Sequence, residues 1–248
     1  MRERSQRRWH PEEIERLTRQ RLDEYQTNTG HSISWPWVPI ELVIENEPFD
    51  LLIKWEAIEA QPGETILGAL RPEERQIVLN EHHQDLFEEK PGLERFTLGH
   101  ELGHWDLFCS EQRSVEHLLP GIDTQYEPAY RNSAHGVVQV LMTMTESKEE
   151  AYSIFRELQS NPRRDTPIER RAVDRYSAAL LMPKEIVEQE IRNLDLTHWK
   201  AVYYLAKRFG VTATACKVRL EELRHIFIKD GKIFRSREQY SGQMMLNF

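Results

Sequence analysis

His100-Glu101-Leu102-Gly103-His104 is the stretch on which the reading of this chain turns. Residues four apart stack on one face of an α-helix, so His100 and His104 can aim two imidazole nitrogens at one ion. Glu101 stands one step round the helix, where it can take a proton from a metal-bound water. Two ligands and a base within one turn form the core of a zinc hydrolase site. Gly103 costs about 1 kcal/mol in a helix interior, which makes sense where a second backbone passes close to the site. Phe96, Leu102, Leu107 and Phe108 supply the apolar face of this helix, which is expected to run for about 15 residues.

The 248 residues suffice for one large domain or two small ones. Charged residues make up 30% and the formal net charge is −8, a globular balance that excludes a protein coated with cations for nucleic acid along its whole length. No apolar run approaches the length of a membrane span. Nothing after Met1-Arg2-Glu3-Arg4-Ser5-Gln6-Arg7-Arg8 reads as a secretory signal. The two cysteines, Cys109 and Cys216, offer no disulfide framework, so the expected compartment is the reducing cytoplasm. Cys109 lies five residues past His104, off the ligand face of an ideal helix, and reads as packing.

Pro11 opens a helical pattern through about residue 26, with Ile14, Leu17, Leu22 and Tyr25 as its apolar positions. Residues 30–37 read as a linker, and 39–45 fit a short helix or a strand equally well. Leu51-Leu52-Ile53-Lys54-Trp55, Thr65-Ile66-Leu67-Gly68-Ala69-Leu70 and Gln76-Ile77-Val78-Leu79-Asn80 read as strands, the last two joined by the turn-like Arg71-Pro72-Glu73-Glu74. The expectation is a small antiparallel sheet followed by the metal helix, an α+β arrangement. Within 111–165, the stretch 136–144 reads as a strand and 149–159 as a helix.

Glu169-Arg170-Arg171-Ala172-Val173-Asp174-Arg175-Tyr176-Ser177-Ala178-Ala179-Leu180-Leu181-Met182-Pro183 stands downstream. Together with Arg95-Phe96-Thr97-Leu98-Gly99-His100-Glu101-Leu102-Gly103-His104, it resembles the ImmA/IrrE family of zinc metallopeptidases, over about residues 39–224. That family shows R-F-T-x-x-H-E-x-G-H and then a helix of the form E-x-x-A-[ND]-x-F-A-x-x-L-L-M-P. The resemblance implies Zn2+ as cofactor, a gluzincin-like minimal fold, and a Glu on the second helix as third ligand. Counting back from Tyr176, the family's Glu position falls on Arg170, while Asp174 falls on its Asn/Asp position. Glu169 and Ala172 keep the E-x-x-A half one residue out of register, an offset that a π-bulge can absorb. Glu169 is therefore the expected third ligand. Asp174 is the alternative ligand, or else the acceptor behind a ligand histidine. The gap from His104 to Glu169 exceeds the family's usual one, so 111–165 reads as an insertion. His82, His83, His117, Tyr126, Tyr130 and His135 read as surface or packing residues, and no oxyanion donor is identified.

Leu205-Ala206-Lys207-Arg208-Phe209-Gly210-Val211-Thr212 has helix-turn-helix grammar, with Gly210 at the turn and Thr212 as the next cap. Asp230-Gly231 between two apolar runs signals a hairpin, so the C-terminal piece reads as winged-helix-like. From His198 to Lys229 stand seven Lys/Arg against two Glu, a local balance that permits DNA binding. Packing of these helices on the catalytic unit is the favoured reading. The expected organisation is an N-terminal helix and linker over 1–36, a metallopeptidase-like domain over 37–195, and the helix-turn-helix segment with its tail over 196–248. The expected function is a zinc-dependent endopeptidase, with His100, His104 and Glu169 on the metal and Glu101 as base. The resemblance implies a protein substrate, a helix-turn-helix transcriptional repressor or antitoxin-like regulator. The rival is a non-catalytic regulator that keeps the fold and binds DNA or a partner protein.

Overall fold

The computed structural model describes residues 9–60, 65–109 and 167–235. The strand and helix expected within 111–165, with His117, Tyr126, Tyr130 and His135, lie outside the described residues, as does the 236–248 tail.

Helix α1 (Pro11–Thr29) starts with proline at its first turn, where the missing N–H costs nothing. The Glu13 carboxylate accepts from the His10 backbone N–H at 2.9 Å. Its buried stripe is Ile14, Thr18, Leu22 and Tyr25, spaced at helical intervals. The ambiguous segment after the linker resolves as a short helix, α2 (Ile40–Glu45), which buries Ile40, Val43 and Ile44.

Three strands follow: β1 (Leu52–Glu56), β2 (Gly68–Arg71) and β3 (Gln76–Asn80). β2 and β3 form the expected antiparallel hairpin, with Gly68 opposite Leu79 and Arg71 opposite Gln76. The sheet as a whole corrects the antiparallel expectation. β3 is the central strand, and β1 pairs with it in parallel, Leu52 opposite Gln76 and Glu56 opposite Asn80. The cause lies in the connection from β1 to β2, which crosses from one edge of the sheet to the other. Asn80, buried at the end of β3, binds both ends of that crossing. Its Nδ2 donates to the carbonyls of Ile66 (2.8 Å) and Ile58 (3.1 Å), and its Oδ1 accepts from the Ile58 N–H (3.1 Å).

His82 and His83 fall in a short 3-10 turn (Glu81–His83) that leads into α3 (Gln84–Glu89). The central helix α4 (Pro91–His104) packs on β2 and β3 and continues into a π-helical turn (Trp105–Cys109). On its other side lies α5 (Pro167–Leu181), against which α1 also packs. α6 (Lys184–Glu190) follows Met182-Pro183. The C-terminal piece is α7 (Trp199–Phe209), α8 (Ala213–Glu222) and a two-stranded hairpin, β4 (Phe227–Lys229) with β5 (Lys232–Phe234). Thr212 caps α8 by accepting from the Ala215 N–H at 3.1 Å. Among the described residues, no helix is long and apolar enough to cross a membrane.

One apolar core runs through all of this, from Ile14 on α1 to Ile233 on β5. It crosses both boundaries expected from the sequence, near residues 36 and 195. Polar contacts cross them too. Buried Arg95 on α4 donates to Val38 O (2.6 Å) and Gly210 O (3.0 Å), and its guanidinium lies 3.9 Å from the Trp37 ring centroid. Arg219 on α8 is 1% exposed, forks onto the Glu15 carboxylate of α1, and donates to Met182 O at 3.0 Å. Breaking a buried pair of this kind strands a charge. Arg219→Ala is therefore expected to lower the unfolding free energy by about 3 kcal/mol. Replacing Arg219 and Glu15 together by Met and Leu is expected to recover most of that loss. Urea denaturation of the three proteins measures both effects.

Candidate metal centre

The first requirement is a second backbone close to α4, and glycine meets it. A methyl group at position 103 would stand 3.3 Å from Val173 Cα and 3.2 Å from Tyr176 Cδ1. One at position 99 would stand 2.6 Å from Ser177 Oγ. Gly99 and Gly103 thus let α5 lie directly on α4. Ser177 uses the approach to donate to the Phe96 carbonyl at 3.0 Å. The contact pairs fall in number on α5 as they rise on α4, so the two helices run antiparallel.

His100 and His104 both lie inside this seam, 0% and 3% exposed. Their rings meet edge to face, with centroids 4.9 Å apart, and the two Nε2 atoms are 3.2 Å from each other. Behind His100, Asp174 Oδ1 lies 2.8 Å from Nδ1. An ionised carboxylate only accepts, so this contact assigns the hydrogen to Nδ1 and leaves the His100 Nε2 lone pair for the shared point. The Asp174 side chain is 38% exposed while that of His100 is 1% exposed, so the pair sits where the buried seam opens to solvent. Glu101, beside the two rings on α4, is fully buried.

Does the donor set suit a metal? Two zinc–nitrogen bonds of roughly 2.0–2.1 Å at roughly tetrahedral angles set the nitrogens about 3.1–3.4 Å apart. The observed 3.2 Å falls in that interval, and the carboxylate behind one ring matches the usual support of a ligand histidine. The pair fits. Beyond the pair, the described residues close no third corner. Among the described residues, no third His, Cys, Asp or Glu groups with the two imidazoles into a metal-binding set. Glu169 is half-buried in the first turn of α5. α5 is α-helical throughout, so the π-bulge expected between Glu169 and Tyr176 is absent from it. The widened turn comes instead straight after His104.

That turn carries a residue that sequence reasoning passed over. Asp106 is 3% exposed and joins three elements. Arg21 of α1 donates to it through Nε (3.0 and 3.1 Å) and Nη2 (2.8 Å), and Tyr176 of α5 donates its hydroxyl at 2.9 Å. Burial, and then the Asp106 charge, push the Tyr176 hydroxyl well above its usual pKa, so it remains a donor. Burial opposes the Arg21 charge, but the Asp106 hydrogen bonds outweigh it and raise its pKa. The signal available in the sequence was only Asp106, two residues past the motif; its partners lie 85 and 70 residues away. Cys109 is buried, in keeping with a packing role.

The chain matches no family model and no curated protein. The His100–Asp174 geometry has a direct check. Multiple-bond nitrogen–proton NMR of the metal-free protein is expected to find hydrogen on His100 Nδ1 and none on Nε2. Asp174→Ala is expected to remove that preference.

Proposed function

We propose that this chain is a zinc-dependent hydrolase of peptide bonds in a protein substrate. The observation that carries the reading is the convergence of the His100 and His104 Nε2 atoms at 3.2 Å, with Asp174 holding His100 from behind. A bound zinc would polarise a substrate carbonyl and bring a bound water toward ionisation near neutral pH. His100 and His104 would hold it. Glu101 accepts the proton from the attacking water and returns it to the amide nitrogen as the carbon–nitrogen bond breaks. Asp174 fixes the His100 tautomer and ring orientation. The family resemblance supports a helix-turn-helix repressor as the substrate class, and the α7–α8–hairpin piece is consistent with a winged-helix-like unit packed on the enzyme.

The rival reading, a non-catalytic regulator, draws support from the missing third donor among the described residues. Its DNA-binding form draws little. Arg219 is buried on Glu15, Arg208 pairs with Glu190 at 2.9 Å, and Lys217 lies 3.8 Å from Glu221. Three of the seven cations of this segment are thus paired within the fold, and α8 is tied to α5 through Arg175 and Glu222 at 2.9 Å.

Two measurements test the proposal. Zinc titration is expected to give one site per chain, abolished in the His100→Ala/His104→Ala double variant. Glu101→Gln is expected to bind zinc like the wild type yet lose cleavage of a peptide library, read by mass spectrometry, by at least about 100-fold. Wild-type zinc binding in the double variant, or wild-type cleavage by Glu101→Gln, would overturn it.

A further inference from the structure

The outward face of α7 carries a chemistry of its own, shared by no residue of the metal centre. α7 turns Ala201, Val202, Leu205, Ala206 and Phe209 into the core, and its sequence contains no Asp or Glu. Its outward residues are Trp199, Lys200, Tyr203, Tyr204, Lys207 and Arg208. At about 100° per residue these fall within one half of the helix circumference, aromatics interleaved with cations. Tyr203 is 61%, Tyr204 49% and Trp199 36% exposed. Surface aromatics scattered singly need no explanation, but three on one face leave apolar area together in water. Trp199 and Tyr203 stand side by side, their ring centroids 6.5 Å apart.

The charge around this face is of one sign. Trp199 Nε1 donates to the Gly231 carbonyl at 3.0 Å, which joins the face to the tip of the β4–β5 hairpin. Across that tip Lys229 stands directly opposite Lys232, and both are exposed. Like charges directly opposite one another destabilise a strand pair, so the fold gains nothing from this placement. Arg208 is held by Glu190, but Lys200, Lys207, Lys229 and Lys232 make no ion pair among the described residues. Asp230, at the turn, offsets one of the four lysines.

Four lysines clustered in a chain of net charge −8 favour an anionic partner. Trp and Tyr carry much of the binding energy where one protein meets another, since they bury a large area at little cost in torsional freedom. A helix-turn-helix reads a duplex with its second helix. Here that helix, α8, has Arg219 held by Glu15 and Lys217 by Glu221. The combination fits a protein partner better than a nucleic acid.

We infer that the outward face of α7, with the hairpin tip, docks a segment of another protein that combines apolar side chains with carboxylates. The apolar side chains lie on Trp199, Tyr203 and Tyr204, and the carboxylates reach the lysines. The inference does not rest on the reading of His100 and His104 as metal ligands.

The test selects phage-displayed random peptides on the full-length chain. Retained peptides are expected to be rich in Asp and Glu together with Leu, Ile or Phe. A synthetic copy of a retained peptide is expected to lose at least about tenfold in affinity for Tyr203→Ser/Tyr204→Ser, and as much for Lys200→Glu/Lys207→Glu. Added salt is expected to weaken its complex with the wild type, because the lysines are exposed. Both double variants change exposed side chains, and circular dichroism checks their fold; if one does not fold, the other decides. No retained peptide, peptides with no excess of acid, or a smaller loss in either folded variant would rule the inference out. So would binding of labelled oligo(dT) or of a duplex oligonucleotide that the same variants abolish, since the face would then belong to nucleic acid.

Discussion

The separation of α4 and α5 is the constraint on which the rest of this structure depends. Gly99 and Gly103 remove the side chains that would hold the helices apart, and Ser177, Val173 and Tyr176 fill the seam. Only at this spacing can a short side chain such as Asp174 reach an imidazole on the neighbouring helix. The same approach buries both imidazoles and Glu101 and brings the Tyr176 hydroxyl to Asp106. The sheet on one side of α4 and α1 behind α5 then hold the pair closed. The site is thus a property of a helix–helix contact, with the polar groups set into a seam defined by packing.

Much of this was legible because it is local. The i, i+4 histidines, the base between them, the strand and turn patterns, the Thr212 cap and the Asp230-Gly231 hairpin each depend on residues a few positions apart. What escaped depends on partners far apart in sequence. The direction of β1 could not be read from its own alternation, since parallel and antiparallel edges share that pattern. It follows from Asn80 binding Ile58 and Ile66 across the sheet. Asp106 takes its role from Arg21 and Tyr176, which lie 85 and 70 positions away. Arg219 was counted in a positive patch, although it is buried against Glu15.

The α5 motif illustrates a different difficulty. Two registers were open, one anchored on Glu169 and Ala172, the other on Asp174 and Tyr176. Composition does not separate them, because the first asks only for one extra residue taken up within the same helix. The contact of the Asp174 carboxylate with His100 shows that the flank of α5 bearing Asp174 meets α4 at the site. A one-residue offset in a regular helix is a rotation of about 100°, enough to turn a side chain from one face to another.

The clasp between Arg219 and Glu15 also has a consequence for how the molecule comes into being. It ties the first helix of the chain to one of the last, across 204 positions. Loops of that span close late, because their entropy must be overcome before the contact contributes. During synthesis, α1 leaves the ribosome long before its partner exists. Its buried stripe of Ile14, Leu22 and Tyr25 must wait for α5, and its Glu15 for α8. The chain therefore has little route to folding piece by piece from its beginning, and a nascent chain shorter than about 220 residues would expose an unfinished core to chaperones and proteases.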